Sequence, residues 1–92
     1  MPAVNGVPCN NFSHLSGAQG PITLKPAGGL LHTLTVNTPV AGTVTLLDGA
    51  ATIAVVTVPA ALNPFELTYD VQFFTNLQVT ITGAQDITVS WQ

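Results

Sequence analysis

Phe65-Glu66-Leu67-Thr68-Tyr69-Asp70-Val71-Gln72, then Leu77-Gln78-Val79-Thr80-Ile81-Thr82 and Asp86-Ile87-Thr88-Val89-Ser90-Trp91, alternate apolar and polar side chains with a period of two. Successive side chains of a strand point to opposite faces, so this period places Phe65, Leu67, Tyr69 and Val71 on one face and Glu66, Thr68, Asp70 and Gln72 on the other. The same split separates Leu77, Val79 and Ile81 from Gln78, Thr80 and Thr82, and Ile87, Val89 and Trp91 from the polar residues between them. Three half-buried strands with one wet face each follow.

Working back toward the N-terminus, Leu30 to Asn37 reads as a strand with Leu30, His32, Leu34 and Val36 on its apolar face. Thr43 to Leu47 and Ala50 to Val58 flank Asp48-Gly49, a hairpin signal of the type I′ kind, which needs positive φ at both central residues. Ile22 to Lys25 is a shorter strand that ends at Pro26, with a turn at Ala27 to Gly29. Pro59 to Pro64 is a crossover loop with one helical turn at Ala60 to Leu62, and Thr75-Asn76 and Gly83-Ala84 are tight turns. Seven strands at this spacing predict an all-β, two-layer antiparallel sandwich over residues 21–92, wired as a Greek key or a jelly roll.

Residues 1–20 carry Pro2, Gly6, Pro8, Asn10, Asn11, Gly17 and Gly20 without either period, and read as an extended N-terminal arm. Val7, Phe12 and Leu15 give this arm apolar anchors for its own sandwich or for a neighbouring subunit. The arm has no basic segment followed by an apolar one, so it does not read as a secretory signal. Cys9 is the single cysteine and cannot close an internal disulfide, which leaves an intermolecular bridge or, as the plainer reading, a reduced thiol in a protein made in a cytoplasm.

Five of 92 residues are charged, Lys25 against Asp48, Glu66, Asp70 and Asp86, giving a net charge of −3. One Lys cannot neutralise the several phosphates that nucleic-acid binding requires, nor hold an anionic membrane surface. No stretch approaches the ~20 apolar residues of a spanning helix. Soluble domains average about 25% charged residues, so a surface made mainly of Thr, Asn, Gln and Ser points to extensive contact with other protein. Thirteen Thr are present, and those at 33, 35, 43, 45, 68, 80, 82 and 88 fall on wet faces, where the β-branch suits the pleat and the hydroxyl stays hydrated.

Chemistry-bearing residues are scattered. His14 and His32 are the only imidazoles. Ser13 beside His14 lies in the arm without a Gly-x-Ser-x-Gly elbow, and His32 lies on the apolar side of its strand. Cys9, His14 and His32 lack metal-ligand spacing, so no metal or cofactor is expected. Glu66 and Asp70 read as solvating charges on a wet face. Phe65, Tyr69 and Trp91 share the core side instead of forming a sugar-stacking platform. Phe73 and Phe74 are consecutive, so one of them points outward; Phe74 joins Val7, Phe12 and Leu15 as a candidate protein-interface residue. No catalytic residue is assigned.

The run Leu31-His32-Thr33-Leu34-Thr35-Val36-Asn37-Thr38-Pro39, with Gly42-Thr43-Val44-Thr45 and Leu47-Asp48-Gly49, resembles small virion structural proteins of tailed bacteriophages. Leu67-Thr68-Tyr69-Asp70-Val71 and Asp86-Ile87-Thr88-Val89-Ser90-Trp91 resemble the same group, which together covers about three quarters of the chain. The resemblance implies a non-enzymatic head decoration, or cement, protein that binds the major capsid protein on the virion surface as a homo-oligomer, in such proteins a trimer. The alternative is a tail or fibre sandwich that binds a host-surface glycan. Residues 1–20 lie outside the resemblance, and no functional residue carries across.

Overall fold

The computed structural model describes residues 11–60 and 63–92. Eight strands form: β1 (Asn11–Ser16), β2 (Gln19–Lys25), β3 (Gly29–Thr38), β4 (Gly42–Asp48), β5 (Ala51–Val58), β6 (Phe65–Phe73), β7 (Leu77–Thr82) and β8 (Asp86–Trp91). They make two four-stranded antiparallel sheets with orders β1-β8-β3-β6 and β2-β7-β4-β5. Every connection passes between sheets except the β4–β5 hairpin. This wiring is an eight-stranded jelly roll, which decides between the two topologies left open by the sequence. Leu31, Leu34, Val36, Val44, Leu46, Phe73, Leu77, Val79, Ile87 and Val89 are fully buried between the sheets, and Trp91 nearly so.

The β4–β5 pairing is as expected, but its turn is shifted by one residue. Asp48 pairs with Ala51, so Gly49 and Ala50 are the central residues. Gly49 has φ +58°, whereas Ala50 does not take positive φ. One positive φ at the first central position is the type II′ pattern and not type I′, and it needs Gly at only one position.

Two departures from the sequence reading matter more. Residues 11–20 are not an arm, because Asn11 to Ser16 pair in register with Trp91 to Asp86 as an edge strand and Gln19 begins β2. The sandwich therefore takes in residues 11–20 as well, with eight strands among the described residues where seven were expected. Leu15 faces inward and packs against the core, while Phe12 and His14 face out. Its signal was the Ser13/Leu15 alternation, hidden by Gly and Asn on either side. Val7, Cys9 and part of the Ala60 to Leu62 turn lie outside the described residues.

The second departure is in β3. Between Leu31 and Thr33 the strand advances two residues while β8 advances one, from Trp91 to Ser90, so β3 carries an extra residue. A bulge of this kind reverses the alternation on one side of it. Leu31, not Leu30, therefore enters the core, and His32 leaves the apolar face for the outer one. Across from it β6 advances three residues, Val71 to Thr68, and Asp70 takes φ +50°.

Gln85 closes one end of the sandwich. Its side chain is fully buried, and its Nε2 donates to the Val40 carbonyl (2.9 Å), while its backbone carbonyl accepts from Gly17 N–H (3.0 Å). One residue thus joins the β1–β2, β3–β4 and β7–β8 connections. Gln85→Ala removes the buried amide and leaves the Val40 carbonyl unpaired, a loss of about 1–3 kcal/mol in urea denaturation; a change within 0.5 kcal/mol would contradict this role.

Candidate functional site

The outer face of the β1-β8-β3-β6 sheet gathers both histidines and three of the four carboxylates. His14 on β1 lies opposite Thr88 on β8, and its Nε2 is 2.7 Å from Asp86 Oδ1. Asn37 Nδ2 donates to the same Asp86 oxygen (2.9 Å) and to Thr88 Oγ1 (3.1 Å). These contacts, Asn37 foremost and then His14, hold the Asp86 carboxyl below its ordinary pKa, because they favour the charged form. Further along the sheet, Thr33 and Ser90 share a 2.6 Å hydroxyl contact, Thr35 donates to Glu66, and His32 Nδ1 hydrogen-bonds Asp70. Glu66 and Asp70 are thus engaged across the strands and are not solvating charges alone.

Two His–Asp pairs on one face were not legible in the sequence. His14 and Asp86 are 72 positions apart, and His32 reaches Asp70 only because both sit at bulges. Neither pair has a Ser or Cys nucleophile hydrogen-bonded to its imidazole among the described residues, so the arrangement lacks the first member of a nucleophile–base–orienter chain. Among the described residues no group of three His, Cys, Asp or Glu comes together as a metal site.

A different surface forms at the end of the sandwich where β1 begins and β8 ends. Phe12, opposite Ser90, is 70% exposed, and Phe74, just after β6, is 74% exposed. Between their strands lies a shallow open depression of about 350 Å³, lined by Gly28, Gly29, Leu30, Gln72 and Gln92. Its floor is tied by reciprocal backbone bonds between Leu30 and Gln92. The sequence-predicted interface residues thus separate: Phe12 and Phe74 stand at this end, and Leu15 turns into the core.

No family model, no curated protein sequence and no solved structure matches the chain. The surface therefore has to be read from its own chemistry.

Phe74 is held by Asp48. The carboxylate accepts N–H bonds from Phe74 (2.8 Å), Thr75 (2.8 Å) and Asn76 (3.3 Å), and Asn76 Oδ1 in turn accepts from Gly49 N–H (2.8 Å). The sequence assigned Asp48 to its own hairpin, yet its side chain organises the neighbouring β6–β7 turn. Bonds from the Phe74 and Thr75 amides lower its pKa from 3.8. A carboxyl whose folded pKa is depressed contributes stability that is present above its unfolded pKa and lost as pH falls through the folded value. Stability should therefore decline below about pH 4, and Asp48→Asn should shrink that acid slope while adding a pH-independent loss. An unchanged acid slope in the variant would separate Asp48 from the effect.

Proposed function

We propose that this protein is a non-enzymatic structural component of a tailed-bacteriophage virion, a decoration protein that binds the major capsid protein and stabilises the shell. The observation that carries the reading is the end surface, where two large aromatic side chains, Phe12 and Phe74, stand exposed at the same end of the sandwich as a shallow depression. Exposed Phe is the kind of residue that anchors protein contacts when it enters a partner's pocket. The sparse charge suits a molecule largely covered in its assembly. The jelly roll supports the reading only by analogy, since capsid and lectin domains both use it. The mechanism is additive: many copies, each with a modest contact, brace a thin shell through multivalency.

A second reading, a tail or fibre sandwich binding a host-surface glycan, is favoured by Phe12 standing beside Ser90 and His14 on a hydroxyl-rich face, one aromatic ring among polar groups. Copy number in purified virions separates the two. Hundreds of copies per particle fit decoration, a few dozen or fewer fit the tail, and absence from virions overturns both.

Phe12→Ala tests the contact directly. Because the ring is exposed, β circular dichroism should be retained while attachment to capsids weakens by about 1–3 kcal/mol. Unaltered attachment would remove Phe12 from the interface.

A further inference from the structure

Four strands lie at sheet edges, and three are protected against pairing with another chain. β2 contains Pro21, which has no N–H, and two register shifts in its pairing with β7. β6 carries Glu66 and Asp70 and is distorted at Asp70. β1 is six residues long and carries His14, bound to Asp86. Short length, charge, Pro and bulges are the usual means by which an edge is blunted. β5 has eight residues, Ala-Thr-Ile-Ala-Val-Val-Thr-Val, with no charge and no Pro. Its one register shift lies toward the hairpin end, between Ala54 and Thr52, so Ala54 to Val58 are regular. Val55 is 59% exposed on this strand.

We propose that β5 pairs antiparallel with β5 of a second copy, joining two four-stranded sheets into one eight-stranded sheet across a two-fold axis. An edge with free N–H and C=O groups takes another strand, and an antiparallel pair of identical strands is self-complementary. Registers that keep the faces matched set Val55 against Val55 or Thr57 of the second copy, both favourable β-branched pairs. Charge selects the same occupant. The outward positions beside β5, Thr43 and Thr45 on β4 and Thr80 and Thr82 on β7, are uncharged. The acids on the same flank, Glu66 and Asp70, reach toward Thr35 and His32 on β3, away from β5. Asp48 is occupied at the hairpin end by the β6–β7 turn. Two copies each of net charge −3 therefore meet along a strand that carries none of it. The inference is independent of the capsid reading, because it concerns self-association alone.

Sedimentation of the full chain tests it. The wild type should be a dimer of twice the 9.5 kDa chain at high micromolar concentration. Val55→Lys with Thr57→Lys places like charges opposite each other and should raise the dimer dissociation constant at least about tenfold, with circular dichroism unchanged because both side chains are exposed. Amide exchange in the wild type gives a readout that needs no variant: protection of residues 51–58 should rise with protein concentration. A monomer at high micromolar concentration, a trimer, a dimer unaffected by both lysines, or β5 amides indifferent to concentration would each overturn the proposal. Virion copy number is measured separately, so failure here leaves the capsid reading standing and the converse also holds.

Discussion

Gly42→Ala is expected to cost about 3–6 kcal/mol. Gly42 has φ +151°, a backbone conformation that L side chains rarely adopt. An added Cβ would meet the Thr82 carbonyl oxygen at 1.8 Å and Gln85 Nε2 at 2.6 Å. Neither neighbour can retreat without consequence. Thr82 pairs with Thr43 at the end of the β4–β7 ladder, where its hydroxyl also accepts the Thr43 N–H at 2.8 Å. Gln85 is fully buried and holds the Val40 carbonyl. The methyl therefore opens a central pair of strands, breaks the end closure, or both. A domain of this length has a total stability of about 5–14 kcal/mol, so the variant should lose a large fraction of it in urea denaturation. A loss below 1 kcal/mol would mean that the β3–β4 connection rearranges freely, and the account of Gln85 as a joint between three loops would fail with it.

The same region explains what could and could not be read from the sequence. Period-two alternation located β3, β4, β6, β7 and β8 within a residue or two, because one face of each is largely apolar and the other polar, and the Asp48-Gly49 turn signal located β5. Alternation gave the wrong facing for His32, since a bulge leaves no mark in a window that contains Leu30 and Leu31 side by side. β1 was missed for a related reason: as an edge strand it buries only Leu15 well, so its hydrophobic signal is thin. Gln85 falls between the Gly83-Ala84 turn and the strand from Asp86, where no pattern marks it, and only its bonds to two other connections give its burial a cause. The His–Asp pairs and the Asp48 bracket join residues 26 to 72 positions apart, which local pattern cannot report. The interface residues were legible in part. An aromatic pair in a strand that ends must send one ring outward, but Phe12 was grouped with Leu15, its opposite in facing.

Phe73→Ala and Phe74→Ala should show this opposition as two inverse phenotypes. Phe73 is fully buried at the end of β6, opposite Gly29, where the absence of a side chain on β3 leaves room for the ring. Truncation removes its transfer energy and leaves a cavity in the hydrophobic core cluster, beside Gly29. The expected loss is about 3–5 kcal/mol, which for a domain this small lowers the melting temperature by more than about 12 °C. Phe74 is the adjacent residue, and its contribution to the fold is its backbone N–H, which Asp48 receives whatever the side chain. Its truncation should change stability by less than about 0.5 kcal/mol. If the end surface is the contact with the capsid, Phe74→Ala should nevertheless weaken co-sedimentation with capsids by about 1–3 kcal/mol, as for Phe12. Melting and co-sedimentation of the two variants side by side make the test. Stable Phe73→Ala protein would contradict the packing, and full attachment by a stable Phe74→Ala protein would take the second aromatic out of the proposed interface.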